Sequence, residues 1–211
     1  MSAASSCAST GCEAVSQPPV GRPRGRRVND VSLETEIKVE IGDPEAFCRR
    51  LGALGAEALS ARHFEDNHLL DFPDGGLRSR RCVLRVRIAG GRATLTFKGA
   101  SRPEGIFKVR EELETGLADG ATALGIFGRI GMRPVFRYQK YRREYGVEGV
   151  RVAVDETPIG NYAELEGSEE AIRALARALS FPEKSFLRSS YHSLYLEYCR
   201  QKGAEAGHMV F

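Results

Sequence analysis

The sequence is poor in the features that mark most functional classes. Its five cysteines, Cys7, Cys12, Cys48, Cys82 and Cys199, form an odd and scattered set. They form no paired short-spacing knuckles and no histidine joins them at zinc-ligand spacing, so reduced thiols are expected rather than a disulfide framework or a zinc site. His63, His68, His192 and His208 lack metal-ligand spacing as well and read as structural or surface residues. No run approaches the roughly 20 apolar residues of a membrane span, and the Ser/Ala-rich start lacks the apolar core of a signal peptide. A cytoplasmic protein without a membrane partner is expected. A Walker loop, a Rossmann fingerprint, a zinc-protease helix and a nucleophile elbow are all missing.

Excess charge is scarce too. The chain of 211 residues carries 31 Lys+Arg against 28 Asp+Glu, a net charge of +3. Arg22, Arg24, Arg26 and Arg27 against Glu13 and Asp30 give the segment before Val31 +2 of that total. The remainder is near neutral, so bulk charge predicts no nucleic-acid partner, and a charge-driven function has to come from local segregation. Residues 1–30 are Ser/Ala-rich, then Pro/Gly/Arg-rich, and are expected to be disordered because they cannot bury enough apolar surface to offset ordering entropy. One domain is expected over 31–199, followed by a polar tail at 200–211. A homodimer stays open as an assembly.

Local segregation of charge is what the body has. In Leu33–Ile41, strand alternation puts Glu34, Glu36, Lys38 and Glu40 on one face and Leu33, Thr35, Ile37, Val39 and Ile41 on the other. Two glutamates two residues apart lie roughly 6.6 Å apart, which costs about 2.5 kcal/mol at an effective dielectric near 20 and about 0.6 in water. An enclosed face of this kind needs a cation, whereas a solvent-facing one does not. The same alternation recurs. Arg85 and Arg87 share a face in 83–88, and after the Gly90-Gly91 hairpin signal Thr94, Thr96 and Lys98 share one in 92–98. Lys108, Arg110, Glu112 and Glu114 share a parity in 106–114, as do Lys140 and Arg142 in 134–147. Asp155 stands opposite Val152 and Val154, and Glu164 and Glu166 repeat the opening carboxylate pair. Helices are predicted from Asp43-Pro44 to Gly55, over 119–131, over 169–179 behind Ser168, and over 189–198.

About eight strands with one charged face each fit two geometries. In one, the charges face water; in the other, an antiparallel sheet closes with charges inward and helices outside, around one small ligand. Seven cations (Lys38, Arg85, Arg87, Lys98, Arg110, Lys140, Arg142) against seven anions (Glu34, Glu36, Glu112, Glu114, Asp155, Glu164, Glu166) sum to zero. A lumen so lined would stay balanced on taking up a triphosphate of roughly four negative charges with two magnesium ions, since arginine forks suit phosphate and carboxylates suit Mg²⁺ or Mn²⁺.

Six motifs in order resemble the CYTH family, also called triphosphate tunnel metalloenzymes. They are Glu34-x-Glu36-x-Lys38, Arg85-x-Arg87, Thr96-x-Lys98, Arg110-x-Glu112-x-Glu114, Lys140-x-Arg142, and Asp155 followed by Gly160-x-x-x-Glu164-x-Glu166. The Ser190-Tyr191-x-x-Leu194 ending resembles prokaryotic class IV adenylate cyclase-like members. The resemblance implies an α+β fold, a closed eight-stranded antiparallel barrel with flanking helices. It implies Mg²⁺ or Mn²⁺ on Glu34, Glu36, Asp155, Glu164 and Glu166, and a polyphosphate cradled by Lys38, Arg85, Arg87, Lys98, Arg110, Lys140 and Arg142.

The expected substrate is a small triphosphate: ATP, tripolyphosphate or thiamine triphosphate. Lys140 and Lys38 are the candidate catalytic residues, Lys140 to orient or deprotonate the nucleophile or only to neutralise phosphate. The leading expectation is conversion of ATP to cyclic AMP and pyrophosphate, with triphosphate hydrolysis as the alternative. A non-catalytic polyphosphate or RNA binder is the rival class, given the aromatic and basic interleaving of 136–143.

Overall fold

The computed structural model describes residues 32–102 and 105–211; the stretch expected to be disordered, 1–30, lies outside the described residues. The strands are β1 (Ser32–Ile41), β2 (Glu57–Asp71), β3 (Val83–Ala89), β4 (Arg92–Lys98), β5 (Lys108–Leu117), β6 (Arg133–Val147), β7 (Val150–Thr157) and β8 (Gly160–Glu166). The helices are α1 (Pro44–Ala53), the short α2 (Gly76–Ser79), α3 (Gly120–Arg129), α4 (Glu169–Ala178) and α5 (Tyr191–Lys202). The strands form a closed antiparallel barrel in the order β1-β5-β4-β3-β2-β6-β7-β8.

Closure decides between the two geometries left open by the alternation. The apolar parity points outward. Ile37, Val39 and Ile41 of β1, Val152 and Val154 of β7, and Ala163 and Leu165 of β8 are buried beneath Phe47 and Leu51 of α1 and Ile172, Leu175 and Leu179 at α4. Each such leucine or isoleucine contributes about 2 kcal/mol of hydrophobic stabilisation. The charged parity therefore has only the lumen to face. Helix starts follow their caps: Asp43, Asp119 and Ser168 accept backbone N–H bonds at α1, α3 and α4. At the start of α3 a Cβ on Gly120 would lie 2.7 Å from Ile88 Cγ1, so only glycine lets this helix sit so close to β3.

Two boundaries differ from expectation. Strand β2 begins at Glu57, whereas the extended run legible in the sequence covers only 63–72, because register shifts between Ala58, Ser60 and His63 break the alternation of its first part. The expected domain end at 199 falls inside α5, and the segment beyond it is stitched to the barrel. Where β6 outruns β7, the Met209 N–H donates to Arg137 O (3.0 Å) and Met209 O accepts from Gln139 N (2.8 Å). Where β1 outruns β5, Leu187 exchanges both backbone bonds with Lys38 (3.0 and 2.7 Å). Met209 is buried with Phe136, Tyr138, Tyr162 and Tyr191, so this end of the barrel is closed by an aromatic plug. No helix among the described residues is long and apolar enough to cross a membrane.

Candidate active site

The lumen is divided by charge. Its acidic half follows β1, β5 and β8: in register, Glu36 faces Lys108 on one side and Glu166 on the other, and Glu34 faces Arg110. Lys108 Nζ lies 2.7 Å from Glu36 Oε1, and Lys98 Nζ lies 2.8 Å from Glu34 Oε2 while also pairing with Glu112. Arg110 is 3.6 Å from Glu34 and 3.8 Å from Glu36. These cations do not fully compensate the carboxylates. Burial and the neighbouring Glu112 raise the Glu34 carboxyl above its ordinary value, and burial together with Glu34 pushes Glu166 up to about 7. Burial is the largest influence on Glu36 and acts the same way, but Lys108 and Lys38 together outweigh it and its carboxyl is lowered.

The other half is built around Asp155, which is fully buried. Arg142 holds it bidentately (2.7 and 2.6 Å), Lys140 Nζ is 2.9 Å from Oδ2, and the Tyr191 hydroxyl donates to Oδ2 at 2.5 Å. Glu164 accepts from Lys38 at 2.6 Å and from Arg142. Burial alone would raise both carboxyls, but Arg142 and Lys140 lower Asp155, and Lys38 and Arg142 hold Glu164 well below the usual range. Both lysines lie over the Tyr191 ring, Lys38 at 4.4 Å and Lys140 at 4.9 Å from its centre.

All the expected site residues line this one lumen, yet the five carboxylates expected as metal ligands do not converge. Glu34, Glu36 and Glu166 lie in the acidic half, whereas Asp155 and Glu164 are engaged by Lys140, Arg142, Lys38 and Tyr191. Among the described residues, no three His, Cys, Asp or Glu side chains form a ready-made metal cage. The donor chemistry of the acidic half still suits a hard divalent cation: crowded carboxylates, two of them raised, are relieved by positive charge.

Four lumen residues escaped the sequence reading. Glu65 and Asn67 of β2 are buried, Glu65 3.1 Å from Arg87 and 3.6 Å from Lys140, and Asn67 Oδ1 accepting from Arg87 Nε at 3.0 Å. Their i, i+2 spacing was a usable signal. Lys108 carried the lumen parity but was left out of the charge count, and adding it with Glu65 gives eight cations against eight anions. Tyr191 stood in the Ser190-Tyr191-x-x-Leu194 ending with no site role; only the tertiary fold brings it to Asp155. In the 136–143 run, Phe136 and Tyr138 are buried and Tyr141 faces outward against Phe64, so its rings do not form a stacking platform.

Several buried donors in the lumen make no hydrogen bond: Arg85 Nε, Asn67 Nδ2 and Arg110 Nε, the last with only its 3.6 Å ion pair to Glu34, and Thr94 Oγ1 is also without one. An unmet buried donor costs about 1–3 kcal/mol, so these groups mark where an anion would be stabilised.

A closed eight-stranded barrel with a charge-divided lumen defines a tunnel-type protein. The chain belongs to the CYTH domain family, whose model matches residues 32–191. It is 28% identical over 173 residues to a Methanocaldococcus jannaschii protein named "Putative adenylate cyclase", covering 77% of this chain and 98% of that one. A solved Vibrio parahaemolyticus structure described with the same words superposes with a TM-score of 0.67 at 20% identity, over 81% of this chain and 99% of that one. A Hippeastrum protein described as a putative adenylyl cyclase with a dominant triphosphatase activity superposes at 0.57 with 18% identity, over 82% and 97%. These two structures share the fold.

Proposed function

We propose that the chain is a divalent-metal-dependent enzyme that acts on a triphosphate inside the barrel, converting ATP to cyclic AMP and pyrophosphate. The observation that carries this reading is the pairing, in one enclosed lumen, of unmet buried donors at Arg85, Arg110 and Asn67 with raised, under-compensated carboxylates at Glu34 and Glu166. A polyphosphate supplies what the first set lacks and a cation what the second lacks. The Methanocaldococcus relative's name supports the cyclase within this class.

The residues divide the work. Arg85, Arg87, Arg110 and Lys98 bind the phosphate chain, and Lys38, Lys140 and Arg142 supply charge where negative charge develops on the reacting phosphorus. Glu34, Glu36 and Glu166 are the residues that would hold Mg²⁺ or Mn²⁺, which when bound neutralises phosphate charge; Asp155 and Glu164 would join them only on release from their cations. Lys140 Nζ is engaged by Asp155 and lies 3.6 Å from Glu65, so in this arrangement it orients the nucleophile and neutralises phosphate. Taking a proton would first require release from both. In cyclisation the ribose 3′-hydroxyl attacks the α-phosphorus and pyrophosphate leaves.

Hydrolysis of a triphosphate is the second reading, favoured by the plug. There Phe136 stacks on Tyr138 (5.7 Å between ring centres) and also meets His192 and Tyr195, while Tyr162 meets Tyr191 edge-on. These rings are occupied with each other rather than offered to a nucleobase.

Purified protein incubated with Mg²⁺ or Mn²⁺ and ATP, tripolyphosphate or thiamine triphosphate tests both. Cyclic AMP with pyrophosphate is the expected product from ATP. Orthophosphate would shift the assignment to hydrolysis, and no turnover with any substrate would overturn the enzyme reading.

A further inference from the structure

Lys108 has no part in the functions assigned so far. It sits on β5 directly across from Glu36, with Nζ 2.7 Å from Oε1, and it is 9% exposed. Burying an ammonium costs several kcal/mol unless a carboxylate compensates it closely. Here the compensation is mutual. Glu36 lies between Lys108 on β5 and the second carboxylate Glu166 on β8, and Glu34 is held by Lys98 in the same way. The acidic half of the lumen thus carries its own tethered cations, and at Glu36 one carboxylate oxygen, Oε1, is already engaged by an ammonium. A lysine suits this because its four-carbon stem is flexible and its ammonium is a point charge with no bidentate geometry to lose.

Resting on the metal reading above, we propose that Lys108 is a tethered counter-ion of Glu36 in the metal-free protein, and that a hard divalent cation reaches Glu36 only by displacing it. Lys108 then weakens metal binding while keeping the carboxylate cluster tolerable in the metal's absence. It is a residue that sets metal affinity rather than a ligand or a catalytic group.

The test is calorimetric titration of the full chain with MnCl₂ in the absence of any triphosphate, on the parent protein, Lys108→Met, Lys108→Arg and the double variant Glu36→Gln/Lys108→Met. Far-ultraviolet circular dichroism checks that each is folded, and Lys108→Gln replaces Lys108→Met if the latter is not. Lys108→Met should bind Mn²⁺ about tenfold more tightly than the parent, since a unit charge close to the ion is removed. Lys108→Arg, which keeps that charge, should stay within about threefold of the parent. The gain should vanish in the double variant, where Glu36 no longer offers a carboxylate. Unchanged or weaker Mn²⁺ binding by Lys108→Met, with the parent binding normally, overturns the displacement role and leaves the metal reading standing. Absence of Mn²⁺ binding by folded parent and folded Lys108→Met overturns both.

Discussion

Tyr191, the first residue of α5, donates its hydroxyl hydrogen to Oδ2 of the fully buried Asp155 at 2.5 Å, joining the C-terminal helix to the charged lumen. A charge-assisted bond of this kind contributes roughly 1.5–3 kcal/mol, and Asp155 keeps Arg142 and Lys140 when it is lost. Tyr191→Phe preserves the ring under Lys38 and Lys140 and removes only the hydroxyl. Chemical denaturation should show a loss of about 1–2 kcal/mol. A variant as stable as the parent would mean that the hydroxyl adds nothing to what Arg142 already supplies.

Lys140 is the more severe case, because it is 1% exposed between Asp155 and Glu65. Removing one member of a buried ion cluster leaves its partners under-compensated at a cost of about 3–5 kcal/mol, and Glu65 keeps Arg87 while Asp155 keeps Arg142. Lys140→Met should therefore lower stability by about 3 kcal/mol. On the proposed function it should also lower kcat by about a hundredfold or more, the typical effect of removing one electrostatic stabiliser. Denaturation and turnover measured on the same preparation separate the two losses.

How much of this could be read from the sequence depended on whether a strand kept its alternation. β1, β3, β4 and β8 are regular, so Glu34, Glu36, Arg85, Arg87, Lys98 and Glu164 declared their shared face before any fold was known. The first part of β2 did not, because its register shifts between Ala58 and His63 break the period of two, whereas Glu65 and Asn67 lie in the regular part that follows and were passed over although their spacing showed a shared face. The direction of the charged face was open as well. Alternation says that two faces differ, not which one is inside; that followed from barrel closure and from α1 and α4 covering the apolar side. Tyr191 was invisible for another reason. Its partner is 36 residues away on β7, and a tyrosine on an amphipathic helix carries no mark that distinguishes a core contact from a hydroxyl aimed at a buried carboxylate.

Glu166 offers a pH signature for the metal-free protein. Its folded carboxyl is pushed up to about 7, above the ordinary value of 4.5, by burial and by Glu34. A raised carboxyl favours the protonated folded state, so its ionisation destabilises the fold above about pH 7 and that penalty is relieved as pH falls toward 4.5. The lowered carboxyls of Asp155 and Glu164 work in the opposite sense, but only below their own, still more acidic range. His68 and His192, whose imidazoles are lowered chiefly by burial, cost stability as pH falls over the same range, so the rise that Glu166 contributes from pH 8 to pH 5, with a chelator present, is read as the difference between the parent and Glu166→Gln. Glu166 stands at the open mouth, where solvent screens it, so the gain is about 1 kcal/mol. Glu166→Gln should flatten this rise and be more stable than the parent at pH 8; an unchanged pH slope in thermal melts would assign it to another group.

The seam at Met209 tests whether the last residues belong to the fold. Met209 is 1% exposed among the rings of Phe136, Tyr138, Tyr162 and Tyr191, and its backbone supplies two bonds to the edge of β6 that β7 does not reach. Met209→Ala keeps those backbone bonds and removes the side chain from the plug. Loss of a buried methionine of this size costs about 2–5 kcal/mol, toward the lower end where neighbouring rings can shift into the space. Deleting residues 208–211 removes the bonds as well and leaves the Gln139 N–H and Arg137 C=O to water, at roughly a further 1 kcal/mol each. The deletion should therefore be the less stable of the two, with a stability difference that appears in urea denaturation at constant slope. If both variants unfold with the parent, the C-terminal seam is dispensable and the plug is held by α5 alone.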